Sequence, residues 1–171
     1  MTSRSAGGGR GLRTAGVLVF LAALLALPAA ARAQTAVVPA FPCAVIFGGQ
    51  WTVPAGFDII VAQRWEAKNR GLVQTFLNAQ TTTLAVNGAA PLDISGEYVP
   101  VSAAPGGTYF TRVAHDTGIT LAAGERLTFN VVISFSQRVL DGFTLADESS
   151  HRPLFFGPGL AFEFPCEVTG A

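Results

Sequence analysis

Two histidines are the strongest candidates for acid–base chemistry in this 171-residue chain. His115 precedes Asp116, and a histidine oriented by a carboxylate is the base of a hydrolytic triad. Adjacent residues of a strand point to opposite faces, however, and Asp116-Thr117-Gly118 is typical of a solvated turn. His151 lies in a polar stretch typical of a loop. Since no Gly-x-Ser-x-Gly nucleophile motif occurs, we predict that neither histidine is catalytic, with a small hydrolase that pairs one of them with a nearby carboxylate as the alternative.

Cys43 and Cys166 are the only cysteines, and each ends the tripeptide Phe-Pro-Cys. Two thiols in an exported chain favour a disulfide, and the alternative is a pair of buried free thiols. A zinc site is disfavoured because no histidine stands at ligand spacing from either cysteine. We therefore predict a Cys43–Cys166 disulfide that joins the two ends of one domain.

Three carboxylates suggest the only metal site worth considering. Asp141, Asp147 and Glu148 fall within one polar segment, and oxygen-rich loops can bind Ca²⁺. Their spacing matches no EF-hand loop, so we predict no metal and no other cofactor, and keep Ca²⁺ at these residues as a candidate.

Several aromatic residues are candidates for ligand contacts. Trp51 stands among glycine and polar residues, which favours a surface position. Phe155 and Phe156 cannot both direct their rings to one face of a strand, so one ring is predicted to be an exposed apolar contact. Trp65, in contrast, continues the apolar positions of a strand and is predicted to be a core residue.

Alternation of apolar and polar residues predicts the strands that would carry these side chains. Residues 127–136 alternate with period two except at Val132, which is typical of a half-buried strand. In 160–168 every second residue from Leu160 is apolar, and Pro165 on the other face predicts an edge strand or a local break. Phe41, Cys43, Val45 and Phe47 likewise suggest a first strand with the sulfur on its core face.

Further segments complete an all-β pattern. Strands are predicted at 57–66, 81–86 and 108–113, and Asn87-Gly88 is a strong hairpin-turn signal. Residues 71–79 instead have apolar residues at helical spacing, which predicts one short helical connection. Short strands without a βαβ rhythm favour an antiparallel β-sandwich.

The N-terminal residues have the pattern of an export signal. Arginines precede thirteen consecutive apolar or small residues, 15–27, and Ala31-Arg32-Ala33 resembles a cleavage site. We predict a cleaved signal peptide over 1–33 and a single sandwich domain over 34–171, because thirteen residues are too few to span a bilayer. Four of the eleven basic residues precede residue 34, leaving seven basic against eleven acidic residues. This acidic balance argues against nucleic acid or a membrane as the partner of the mature protein.

Several segments together resemble uncharacterised secreted bacterial proteins with an immunoglobulin-like β-sandwich. The segments that carry the resemblance are Trp65–Leu77, Leu84–Gly88, Leu121–Glu125, Asp141–Phe143 and Gly157–Gly159. The resemblance covers roughly residues 43–168, and it implies an immunoglobulin-like sandwich without implying any catalytic residue.

These observations predict a non-catalytic module, secreted or periplasmic, that binds an extracellular protein or glycan or has a structural role in the cell envelope. Inward positions of the predicted strands are almost purely apolar, which leaves no place for a buried acid, base or nucleophile. The working surface is accordingly predicted in the loops, around Trp51 and residues 141–152.

Overall fold

The computed structural model describes residues 34–142 and 155–171, and strands dominate both ranges. One α-helix, α1 (Arg70–Ala79), and short helical turns at Pro42–Ile46 and Ser95–Glu97 interrupt the strands. The strands are β1 (Gln34–Pro39), β2 (Gln50–Val53), β3 (Phe57–Ala67), β4 (Gln80–Val86), β5 (Leu92–Asp93), β6 (Ser102–Ala103), β7 (Tyr109–Thr120), β8 (Arg126–Phe135), β9 (Val139–Leu140), β10 (Phe155–Phe156) and β11 (Ala161–Gly170).

Two main sheets share one hydrophobic core, which confirms the predicted all-β class. The first sheet has the order β1-β3-β7-β6 and the second β2-β11-β8-β4-β5, while β9 and β10 form a separate pair. Most neighbouring strands are antiparallel, but β1 pairs with β3 and β2 pairs with β11 in parallel. The prediction of a purely antiparallel sandwich is therefore wrong at these two edge strands. The described residues include no helix long and apolar enough to cross a membrane.

The predicted alternation of β8 is confirmed residue by residue. Leu127, Phe129, Val131, Ile133 and Phe135 are all buried, while the residues between them are exposed or half-buried. Strand β8 lies between β11 and β4, so its inward side chains form the centre of the second sheet's core face.

Strand β11 shows how a proline is accommodated within a sheet. Pro165 pairs with Asn130 of β8 on one side, but β2 pairs with β11 only from Glu167 onward. Pro165 therefore lies where the outer side of β11 has no strand neighbour among the described residues, as its missing N–H requires. Leu160 precedes the strand and is 47% exposed, so its predicted core position is wrong.

The segment around Cys43 is a helical turn and not the predicted strand. Pro42–Ile46 forms a π-helical turn, in which Cys43 is buried while Phe41, Val45 and Phe47 are exposed. The chain must cross here from β1 in one sheet to β2 in the other, and a strand would continue in the first sheet instead. Gly48 and Gly49 follow with φ of 65° and 81°, a conformation that side chains rarely adopt.

The predicted disulfide is confirmed. Cys43 and Cys166 are bonded with their Cα atoms 5.9 Å apart, inside the usual range for disulfides. The bond ties the crossing turn to β11 over a sequence separation of 123 residues.

The predicted helical connection is also confirmed. Asn69 caps α1, because its Oδ1 accepts a hydrogen bond from the backbone N–H of Leu72 at 3.0 Å. Val73, Phe76 and Ala79 are buried, so the helix packs its apolar face on the core.

Strand β7 continues through a segment predicted to be a turn. Between the pairs Asp58↔Thr120 and Ile60↔Asp116 the register of β3 and β7 shifts, which is a β-bulge. Gly118 has a φ of 66°, and its backbone N–H donates to Oδ1 of Asp116 at 2.9 Å. The backbone geometry and hydrogen bond of a turn are therefore present, but the residues that form them are a bulge within β7 and do not end the strand. At Asn87-Gly88 the predicted turn does form, with positive φ at both residues.

Reduction of the disulfide is expected to destabilise the fold. A bond that closes so long a loop contributes about 4 kcal/mol, so reduction should lower the melting temperature by about 10 °C. Thermal unfolding of oxidised and reduced protein measures the difference. Thiol titration of the denatured, unreduced protein should find no free thiol, and two thiols per chain would contradict the bond.

Gly170 is a second position on which stability is expected to depend. A Cβ at this residue would lie 2.3 Å from the carbonyl oxygen of Ala122, a contact that requires the backbone to move. Gly170→Ala should therefore cost about 1–3 kcal/mol in urea unfolding. Gly96→Ala is the matched control, because a Cβ there meets nothing within 4 Å, and it should leave stability unchanged within about 0.5 kcal/mol. Equal effects of the two substitutions would show that the contact at Gly170 is readily relieved.

Candidate functional site

The candidate site is an aromatic groove that described residues of both sheets form. It has a volume of about 510 Å³ and lies between residues of β3 in one sheet and of β8 and β11 in the other. Six aromatic residues line it: Phe41, Trp65, Phe135, Phe156, Phe162 and Phe164. Pockets of this size with mainly apolar walls and a few polar groups are typical of ligand sites.

The groove opens where the edge strands β1 and β2 stop short and leave parts of β3 and β11 without an outer neighbour among the described residues. Strand β1 pairs with β3 only as far as Ala62, and β2 pairs with β11 only from Glu167. Beyond these residues, the 64–66 stretch of β3 and the 162–164 stretch of β11 border the groove. Phe41, directly before the crossing turn at Pro42–Ile46, also lines the groove, and its ring meets that of Phe164 edge-on at 5.9 Å.

Ring–ring contacts hold the wall of the groove. Trp65 stacks on Phe76 of α1 with ring centroids 4.7 Å apart, and Phe135 stacks on Phe156 at 5.4 Å. Phe162 meets Phe156 edge-on at 4.5 Å. Each such pair contributes about 0.5–1.5 kcal/mol beyond burial, so the rings form a fixed surface. The predicted core packing of Trp65 is confirmed, and its buried Nε1 has no hydrogen-bond partner within the part of the chain that the structure describes.

Charged groups stand at the rim of the groove. The Arg64 guanidinium contacts the carboxylate of Glu66 at 2.6 Å and lies 4.2 Å over the ring of Phe110. Glu66 also accepts a hydrogen bond from the hydroxyl of Thr108. Asp141 is buried, and its backbone oxygen accepts from the N–H of Lys68 at 2.8 Å. The rim can therefore contact a polar end of a ligand, whereas the walls can contact only apolar groups.

The aromatic residues predicted as binding residues fall into different places. Trp51 is half-buried in a shallower depression of about 320 Å³, where it meets Phe47 edge-on at 5.0 Å. Phe156 lines the aromatic groove, so the structure does not bring Trp51 and Phe156 together. The backbone of Phe155 pairs with Leu140, and its side chain lies outside the described part of the chain.

His115 has a carboxylate partner, but not the one that its neighbour in sequence suggests. Its Nδ1 lies 3.0 Å and 2.9 Å from the two carboxylate oxygens of Glu97, whereas Asp116 accepts from the N–H of Gly118. The prediction of a merely solvated turn at His115 is therefore wrong. No hydroxyl group contacts this histidine within residues 34–142 and 155–171, so the pair lacks a nucleophile there.

The remaining candidate residues lie mainly beyond the described ranges. His151, Asp147 and Glu148 are outside them, and so is most of the segment 141–152. In the described ranges, no three His, Cys, Asp or Glu side chains lie close enough together to hold a metal ion. The Ca²⁺ candidate stays a hypothesis, of which the structure describes only Asp141.

Among the described residues, Tyr98 and Asp93 have shifted pKa values, and both shifts have structural causes. Burial raises the pKa of Tyr98 to about 12, and a hydrogen bond of 3.4 Å that the Thr82 hydroxyl donates to the Tyr98 oxygen opposes this rise. Hydrogen bonds from the side chain and backbone of Ser95 lower the pKa of the exposed Asp93 carboxyl. Both shifts move the pKa away from neutral pH, so these two groups are poorly suited to general acid–base catalysis.

Comparisons of the chain with protein-family models, with curated proteins and with solved structures found no match. The resemblance to secreted bacterial immunoglobulin-like proteins therefore stays a prediction. The sequence analysis missed the groove itself, because alternation assigns Phe162 and Phe164 to a core face without indicating that the facing edge strands stop short.

Proposed function

We propose that this chain is a secreted, non-catalytic binding module with an immunoglobulin-like β-sandwich. Its ligand inserts an apolar group into the aromatic groove. The observation that carries the proposal is the aromatic groove itself, which has a volume of about 510 Å³, is lined by six aromatic residues and is bordered by few charged side chains. Such a surface excludes water on binding and gains free energy from apolar contact.

The immunoglobulin-like part of the proposal is supported by the sheet arrangement. A four-stranded and a five-stranded sheet enclose one core, and the pairs β3/β7, β4/β8 and β8/β11 are antiparallel. The parallel edge strands β1 and β2 depart from the simplest antiparallel sandwich.

The proposed location outside the cytoplasm has two supports. A disulfide persists in a non-reducing compartment, such as the periplasm or the extracellular space. The sequence pattern over residues 1–33 is that of an export signal. The acidic balance after residue 33 makes nucleic acid a poor partner, and an extracellular protein or glycan is the proposed class.

A neutral apolar dye tests whether the groove binds apolar groups. Phenylnaphthylamine fluoresces when it leaves water, and it should bind the oxidised protein saturably. Phe41→Asp places a charge at the groove and should weaken dye binding about tenfold or more, because ionised carboxylates resist desolvation. A fluorescence titration measures the dissociation constant of each variant.

Phe47→Asp is the matched control for this experiment. Phe41 and Phe47 flank the same turn and are 46% and 54% exposed, so the cost to folding should be similar. Phe47 lies beside Trp51 and not at the aromatic groove. If Phe47→Asp or Trp51→Ala abolishes dye binding while Phe41→Asp does not, the binding surface is the Trp51 depression instead.

A hydrolase is the second candidate, and one observation favours it. The contact between His115 and Glu97 supplies a histidine oriented by a carboxylate, which are two of the three members of a catalytic triad. The absence of a hydroxyl beside this histidine in the described ranges supports the binding module over the enzyme.

Replacing both histidines separates the two candidates. The double variant His115→Ala/His151→Ala should fold normally and bind the dye as before, at a cost of no more than about 1 kcal/mol, because a partly exposed side-chain contact contributes little. Hydrolysis of p-nitrophenyl acetate by the purified protein should not exceed the rate without protein. If the unmodified protein hydrolysed the ester faster than this background and the double variant did not, the binding-module proposal would be contradicted.

A further inference from the structure

The aromatic groove borders an unpaired stretch of strand backbone. Strand β11 pairs with β8 from Ala161 to Thr169, but on its other side β2 covers only Glu167–Gly170. Ala161–Pro165 thus forms an open sheet edge among the described residues. Open edges are templates for the addition of another strand.

We infer that this edge accepts an extended segment of a partner protein, which adds to β11 as a strand and inserts alternate apolar side chains into the aromatic groove. The inference rests on the proposed binding function and specifies its ligand as a β-strand. In strand addition, main-chain hydrogen bonds supply affinity, and pockets for every second side chain supply specificity.

The direction of the backbone groups supports the inference. The N–H of Glu167 donates to the oxygen of Gly49 at 2.7 Å, so it points away from β8 and toward the open side. Because main-chain groups alternate in direction along a strand, those of Glu163 and Ala161 point the same way. Neither residue has a backbone partner on that side within 34–142 and 155–171, so both offer an N–H and a C=O to an added strand.

The position of the aromatic rings supplies the second half of the fit. Phe162 lies between these open positions and Phe164 follows Glu163; both are on the core face of β11 and line the groove. A strand beside β11 would direct every second side chain to the same face, next to these rings. An added strand with apolar residues at alternate positions therefore matches both the edge and the groove.

Glu163 makes a different protein a better occupant than a second copy of this chain. Its exposed carboxylate has only a long hydrogen bond from Asn130, at 3.5 Å, and no cation contacts it in the described part of the chain. Two β11 edges paired antiparallel about Glu163 would bring two carboxylates face to face, which is destabilising. A partner strand with a lysine or arginine among its solvent-facing residues pairs with the carboxylate instead.

Pro165 limits the length of the added strand. It has no N–H, so pairing ends at this residue, and the open edge spans about 17 Å at roughly 3.4 Å per residue. The site is therefore built for a short segment of about five residues.

A designed peptide tests the inference directly. The probe is acetyl-Ser-Leu-Lys-Leu-Thr-Leu-Ser-amide, which alternates apolar and polar residues and carries one lysine. It should bind the oxidised protein saturably in calorimetry and should slow hydrogen exchange at the amides of Ala161 and Glu163. Glu163→Lys should weaken the peptide about fivefold, and Glu163→Gln should weaken it less.

Two N-methylated versions of the peptide distinguish strand addition from simple apolar adsorption. One version carries N-methyl groups on the three leucines, and the other carries them on the polar residues between and beside the leucines. Only one set faces β11 in an added strand, so one peptide should lose binding and the other should retain it. Equal binding of the two versions, or unchanged exchange at Ala161 and Glu163, would overturn the inference.

The remaining outcomes also decide between occupants. Absence of saturable peptide binding up to about 1 mM rejects strand addition, and if phenylnaphthylamine still binds, the groove keeps its proposed function as an apolar site. Concentration-dependent dimerisation in sedimentation that Glu163→Lys alters would assign the edge to a second copy of the chain and reject the foreign partner.

Discussion

The crossing of the chain between the two sheets, held by the Cys43–Cys166 bond, is the constraint on which the other features depend. Strand β1 belongs to one sheet and β2 to the other, so residues 40–49 must leave the first edge before β3 is fully covered. The disulfide fixes this crossing turn against β11. Both edges are consequently left short on the same side, and the aromatic core between them opens as a groove.

Those parts of the fold that local patterns determine could be predicted from the sequence. Strand β8 keeps a period of two because it packs one face on the core, and α1 has a capping residue, Asn69, before its apolar positions. Residues 41–47 also alternate, yet they form a turn, because the topology requires a crossing there and alternation does not report topology. In β7, the signal at Asp116-Thr117-Gly118 indicates local backbone geometry correctly, but pairing with β3 on both sides of the bulge keeps the segment in a strand.

The candidate site was less predictable, because it depends on where strand pairing ends. Phe156 was predicted as a contact residue and does line the groove, but Phe41, Phe162 and Phe164 were assigned to core faces. Nothing in a single sequence states that β1 stops pairing at Ala62 or that β2 begins only opposite Glu167. His115 and Glu97 illustrate the same limit, since they are 18 residues apart and meet only because the β5–β6 connection packs on β7.

An open edge beside an apolar groove is a hazard for a protein, because it invites pairing with any extended chain. Pro165 and Glu163 restrict that hazard in different ways: the proline removes a donor and ends the edge, while the carboxylate opposes self-pairing. In the proposed strand addition, the same two residues select short segments that carry a cation. A groove filled by such a segment also stabilises the folded chain, since a ligand that binds only the native state raises the free energy of unfolding. In the proposed strand addition, Pro165 and Glu163 therefore both restrict the open edge and select its partner, so the two roles depend on the same residues of β11.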